Sequence, residues 1–194
     1  MSKRPFSSYV IAVASLLLAA LAASQPLFFG FGDLVETLLW LSFALALIWL
    51  GYVIPSVEVV NQELCITNPF RVARVGLGAI EDVDTRFALK VSGSFGSISA
   101  WAAPAPGRLR HRSHATEDYK TLGLKDGELV RPGDLPSTIS GSLAMQIRMA
   151  QKDGGDLPTK VSIHLNPLGI VLAVVPSLLL VLHYWTWAFL ADLA

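Results

Sequence analysis

The chain has 194 residues, of which 53% are hydrophobic and only 15% charged, with 15 basic and 15 acidic side chains. Soluble domains carry about 25% charged residues, so this deficit and a mean hydropathy of +0.52 point to a membrane protein with a modest soluble part. A formal net charge of zero argues against a nucleic-acid partner, and a single cysteine, Cys65, excludes an internal disulfide and a cysteine metal cage.

Three apolar stretches cover residues 9–23, 34–54 and 168–190. A spanning helix needs about 20 mostly apolar residues. The second and third satisfy this directly. The first reaches across only with Phe6 and its serines, which predicts a helix at about 6–24. Lys3 and Arg4, the apolar run and LAAS also have the form of a signal peptide. The short connection to the second stretch favours an uncleaved helical hairpin spanning residues 1–55.

Basic residues precede the first stretch (Lys3, Arg4), follow the second (Arg71, Arg74) and precede the third (Lys152, Lys160); the first loop and the C-terminus carry none. Positive-inside logic then predicts a multi-pass protein of the cell membrane. It puts the N-terminus and the middle region in the cytoplasm and the C-terminus outside. Tyr184, Trp185 and Trp187 fit an interfacial aromatic belt. Glu36 and His183 are ionisable groups within spans and hence functional candidates, although both lie near the outer helix ends. Pro176 is expected to kink the third helix.

Residues 56–165 form the soluble region, enough for one small domain. Val57, Val59, Val60, Leu64 and Ile66 around Asn61-Gln62 read as a β-hairpin. NPF is a turn, and RVARVGL, FALKVSG and SISAWA follow as short strands, with AIEDVDTR a strand or a short turn leading to one and Gly93 and Gly96 a tight connection. Cys65 falls within an apolar strand, as an inert thiol. Ile139, Leu143, Ile147 and Ala150 then share one helical face, capped by Ser137 or Thr138 and ended by Gly154 and Gly155. The expected fold is membrane α plus soluble β: three transmembrane helices and an antiparallel sandwich or barrel capped by one C-terminal amphipathic helix.

Strands followed by one helix is the order of a pleckstrin-homology (PH)-like domain. The segments ELCITNPFRVARVGLGAIEDVD, AWAAPAPG and GDLPSTISGSLAMQI, with two apolar helices before and one after, resemble the PH-domain-containing membrane proteins of actinobacteria, the low molecular weight protein antigen 6 type. Leu77 and Gly78 stand where a Trp-Ser type pair is common in that family. The resemblance implies a fold and no enzymatic activity. Phosphoinositide-binding PH domains use basic residues around the first strand connection; here that connection, VVNQEL, has none, so this ligand is not carried over.

Between the sheet and the helix lies a proline- and glycine-punctuated stretch, 104–136, that carries Arg108, Arg110, His111, Arg112 and His114. Long loops in small domains are functional or disordered, and each basic residue near an anionic leaflet contributes about 1 kcal/mol. These five residues are the candidate partner or lipid contact. His111 and His114 with Glu117 and Asp118 have loose metal-ligand spacing, which a solvated loop explains better. No phosphate loop, HExxH, CxxC or dinucleotide fingerprint occurs, so neither catalytic residues, cofactor nor metal are expected.

These features predict a non-enzymatic, membrane-anchored interaction module. It would bind another membrane or envelope-associated protein, or anionic lipid. Phe70, Trp101 and the basic loop are candidates for its exposed side, although the apolar setting of Trp101 argues for a core position. The alternative is a small membrane enzyme or transporter accessory subunit using Glu36 and His183.

Overall fold

The computed structural model describes residues 6–24, 34–105 and 132–192. In chain order the elements are α1 (Phe6–Ala23), α2 (Leu34–Ile48, continued by a wider π-helical turn at Trp49–Val53), β1 (Ser56–Val60), β2 (Glu63–Thr67), β3 (Arg71–Gly76), β4 (Asp82–Asp84), β5 (Ala88–Gly93), β6 (Gly96–Pro104), α3 (Ile139–Lys152), β7 (Val161–Leu165) and α4 (Pro167–Ala191). They form two compact units, a sheet unit at Pro55–Leu165 and a helical unit at Phe6–Ile54 with Asn166–Ala194.

In the helical unit, α1 packs on α2 and α2 on α4. Two helices among the described residues are long and apolar enough to cross a membrane: Leu34–Val53 and Pro167–Ala191. This corrects the expectation of three transmembrane helices. α1 has 18 residues, about 27 Å at 1.5 Å per residue, against a hydrocarbon core of about 30 Å. α4 begins at a defined point. Pro167 occupies its first turn, and the Gly169 N–H donates to the Asn166 side-chain oxygen at 3.4 Å, the arrangement that satisfies a helix start.

In the sheet unit, alternation of apolar residues sets the strands and their faces. The hairpin of β1 and β2 places Val57 opposite Ile66 and Val59 opposite Leu64. Its tip, Asn61 and Gln62, has φ of 51° and 61°. Two successive positive angles are what a two-residue turn needs to match strand twist. The first sheet is antiparallel in the order β1-β2-β3-β7, and the second is antiparallel in the order β4-β5-β6.

The core lies between these layers. Val57, Leu64, Ile66, Val75, Leu89 and Val91 are buried within it. α3 closes it, packing on β5, on β6 and on a short 3-10 turn at Leu77–Ala79. Thr138 caps α3, accepting from the Gly141 N–H at 3.0 Å, and Leu143, Ala144 and Ile147 are buried. The strand facing this helix offers Ala100, Ala102 and Ala103, whose small side chains admit a close approach. The Gln151 amide donates to the carbonyls of Leu77 at 3.0 Å and Ile80 at 2.7 Å. At the helix start, a Cβ on Gly133 would strike the Thr85 carbonyl, so only glycine fits there.

The expected antiparallel sheet domain with a helix after its strands is seen, with one strand beyond those read from the sequence. The strands form two separate sheets, and the helix after the first six strands is followed by β7. This strand returns to the edge of the first sheet beside β3, with Val75 opposite Val161 and Ala73 opposite Ile163.

Register fixes what lies at each end of the first sheet. Ser56 pairs with Thr67, Thr67 with Val72 and Arg71 with Leu165. The start of β1, the turn 68–70 and the end of β7 therefore share one end. The Asn61-Gln62 hairpin and the start of β7 share the other.

Replacing the buried Leu143 with alanine is expected to destabilise the sheet unit by about 2–5 kcal/mol. Replacing Met149, 49% exposed on the same helix, is expected to stay within about 0.5 kcal/mol. Denaturant unfolding of the detergent-solubilised chain, followed by near-ultraviolet circular dichroism, checks both.

Candidate functional site

The turn 68–70 and β6 together build the most distinctive surface of the sheet unit. Pro69 is fully buried and the Asn68 N–H donates to the Arg71 carbonyl at 2.8 Å, so the turn is tight and anchored. The Asn68 side chain then bridges to the second sheet. Its Nδ2 donates to the Ser99 carbonyl at 2.7 Å and its Oδ1 accepts from the Trp101 N–H at 3.0 Å. One amide thus supplies the donor and acceptor that a neighbouring strand would present to β6, satisfying backbone groups that must find partners.

This bridge holds Phe70 and Trp101 on the two walls of a shallow groove of about 330 Å³, lined also by Asn68, Pro69, Arg71 and Ser99. Trp101 is 61% exposed and Phe70 45%. The core position argued for Trp101 is therefore corrected. Along β6, Ala100 and Ala102 point inward and Trp101, between them, points out, as strand alternation dictates. Phe70 is exposed, as its candidacy required. Leu165, cross-strand partner of Arg71, is 68% exposed. It extends the apolar rim at the same end of the sheet.

A second open groove, about 260 Å³, runs along the outer side of α3 between Asp134, Gly141, Met145, Arg148, Met149 and Lys152. Arg148 there approaches Asp134 at 3.7 Å and donates to the Val83 carbonyl at 3.3 Å. Both grooves sit at or below the lower end of the roughly 300–1,000 Å³ typical of small-molecule pockets.

Arg108, Arg110, His111, Arg112 and His114 lie outside the described residues, as do Glu117 and Asp118. Lys3 and Arg4 do too. Among the described residues no group of three His, Cys, Asp or Glu side chains could hold a metal. Cys65 sits on the outer face of the first sheet, between Glu58 and Arg74 in register. Burial pushes its thiol above the usual cysteine range, with Glu58 and Glu63 adding to the rise and Arg74 opposing it.

In the helical unit the two ionisable candidates are not brought together by a hydrogen bond. The Tyr184 hydroxyl donates to the Glu36 carboxylate at 2.6 Å and accepts from the Trp40 indole N–H at 3.0 Å. His183 instead makes edge-on ring contacts with Tyr184 and Trp187. Glu36 thus accepts from Tyr184 on α4, and Trp40 on its own helix donates in turn to that hydroxyl, a relay that ties the two helices together.

No protein-family model, curated protein or solved structure matches this chain.

Substituting Asn68 with alanine is expected to cost about 1–3 kcal/mol, since two backbone groups of β6 lose a partner. Asn68→Asp is expected to cost more, because it turns a carboxylate against the Ser99 carbonyl. Melting of the two variants beside the parent chain decides this. Separately, Arg74→Ala is expected to raise the Cys65 thiol further and slow its alkylation by iodoacetamide at mildly alkaline pH, and Glu58→Gln to speed it. Rates across a pH series on this single-cysteine chain provide the check.

Proposed function

We propose that this protein is a non-enzymatic, membrane-anchored interaction module whose sheet unit is held at the inner face of the cell membrane and binds a protein partner. The observation that carries the membrane part is the exposure of the two long apolar helices. Only 11% of the Leu34–Val53 window and 17% of the Pro167–Ala191 window is buried. The core helix of a soluble protein would be mostly covered, and contiguous apolar surface of this extent marks contact with lipid or protein. Leu168, Val171, Val175, Leu178, Val181 and Leu182 are among the residues exposed along α4.

Charge supports the inner side. Arg71, Arg74, Lys152 and Lys160 lie in the segment between the two helices, whereas none of Lys or Arg follows α4. That bias supports a cytoplasmic intervening segment. The interaction reading is supported by what the sheet unit offers: two shallow open grooves, suited to contact with a macromolecule. The resemblance to actinobacterial PH-domain-containing membrane proteins is part of the same proposal. It is supported by the order of six strands followed by an amphipathic helix, with apolar helices on either side.

An impermeant maleimide tests the placement. On a Cys65→Ser background, a cysteine at Asn61 should label only after cells are opened; labelling of intact cells would overturn the inner-face assignment. In-cell photocrosslinking tests the partner. A photo-reactive residue at Met149 or Arg74 should give a discrete protein adduct that changes with position, and the absence of adducts at both would overturn the interaction reading.

A further inference from the structure

The apolar rim at the end of the sheet unit has no role in the reading above, and register says where along the chain it lies. The chain passes from α2 into β1 through Ile54 and Pro55 alone, and from β7 into α4 through Asn166 alone. Both passages leave the first sheet at Ser56 and Leu165. The turn 68–70 is at this same end, because Ser56 pairs with Thr67 and Leu165 with Arg71. Trp101 is tied to that turn through Asn68. Phe70, Trp101 and Leu165 are therefore exposed apolar side chains at the end from which both long apolar helices depart, with one cation, Arg71, among them.

We infer that this rim, Phe70, Trp101 and Leu165 with Arg71, is a membrane-interface contact that seats the sheet unit on the headgroup layer of the bilayer its own helices cross. The inference rests on the reading that α2 and α4 span the membrane. Tryptophan and phenylalanine are suited to this place. The indole has an apolar body and a polar N–H, and aromatic side chains concentrate at headgroup depth. Arg71 can meet lipid phosphate there while its stem lies along apolar surface.

Continuity with the helices selects lipid over other occupants. The connections of two residues and one residue keep this end of the first sheet next to the helix ends along the chain. The opposite end of the sheet carries Asn61, Gln62 and Lys160, polar residues suited to water. The hairpin used by phosphoinositide-binding PH domains is thus at the far end, and lipid contact here falls to the β2–β3 turn and β6. That contact recognises the interface as a whole, by apolar insertion and one cation, and needs no particular headgroup.

The test uses the full chain on a Cys65→Ser background, reconstituted in mixed phosphatidylcholine–phosphatidylglycerol vesicles. An environment-sensitive fluorophore is attached to a cysteine placed at Phe70, Trp101, Asn61 or Leu179, the last in mid-α4. Nitroxide at the top of the lipid acyl chain should quench the labels at 70 and 101 and leave the label at 61 bright. Nitroxide deeper in the chain should quench the label at 179. Labels at 70 and 101 as bright as that at 61, with 179 still quenched, would overturn the seating and leave the anchor standing. A label at 179 that no lipid quencher reaches would overturn the spanning reading, and the inference with it. Protection of 70 and 101 from both lipid nitroxide and aqueous iodide would overturn it in favour of protein covering the rim. As an independent check, Phe70→Ser with Trp101→Ser should reduce lipid quenching of a label at Leu165; unchanged quenching would count against the aromatic pair.

Discussion

The sheet unit is held at one end by two very short connections, and much of its surface takes its meaning from that constraint. Between the last helical residue of the Trp49–Val53 turn and Ser56 there are two residues, and between Leu165 and Pro167 there is one. Ile54 and Asn166 are both buried. An even path through four antiparallel strands brings the chain back to the end at which it entered. β7 is what makes the path even. Without it the chain would leave the first sheet from the hairpin end, and the final helix would need a long connection to return.

That strand is also where sequence reasoning fell short. Val161, Ile163 and Leu165 alternate with Ser162 and His164, a period-2 signal of ordinary strength. It lies between a glycine-rich helix end and a long apolar helix, and those two stronger signals absorbed its flanks. The hairpin at Asn61-Gln62 and the helix over Ile139–Lys152 were legible because local rules alone determine them: alternation about a two-residue turn, and an apolar face with a cap and a glycine stop. The strand order within the two sheets was not, since pairing across distant segments is set by packing that no local pattern encodes.

The site shows the same division. Phe70 after a buried proline could be placed outside from its turn. Trp101 could have been assigned by parity from Ala100 and Ala102, but its hydrophobicity drew it toward the core, and strand parity overruled hydrophobicity. Asn68 carried a signal for the turn alone. An asparagine before a proline reads as a turn residue. Only the fold shows that its amide spans to β6, some thirty positions away, and so fixes the two aromatic walls. The first apolar stretch is a closer case: its composition resembles a span, while its helix has 18 residues where a span takes about 20.

Tethering also explains why so modest a rim could act. A free peripheral domain must offset the loss of its translational freedom, and does so with clustered cations or several inserted side chains. A domain already joined to the bilayer at two points has little of that freedom left, so its effective concentration at the surface is high. On the proposed anchoring, two aromatic residues, a leucine and one arginine would suffice to bias its orientation. The lack of a basic cluster on the Asn61-Gln62 hairpin fits the same logic, because that hairpin is the part of the first sheet farthest along the strands from both helix connections. On the proposed anchoring, orientation rather than recruitment is the task left to the surface.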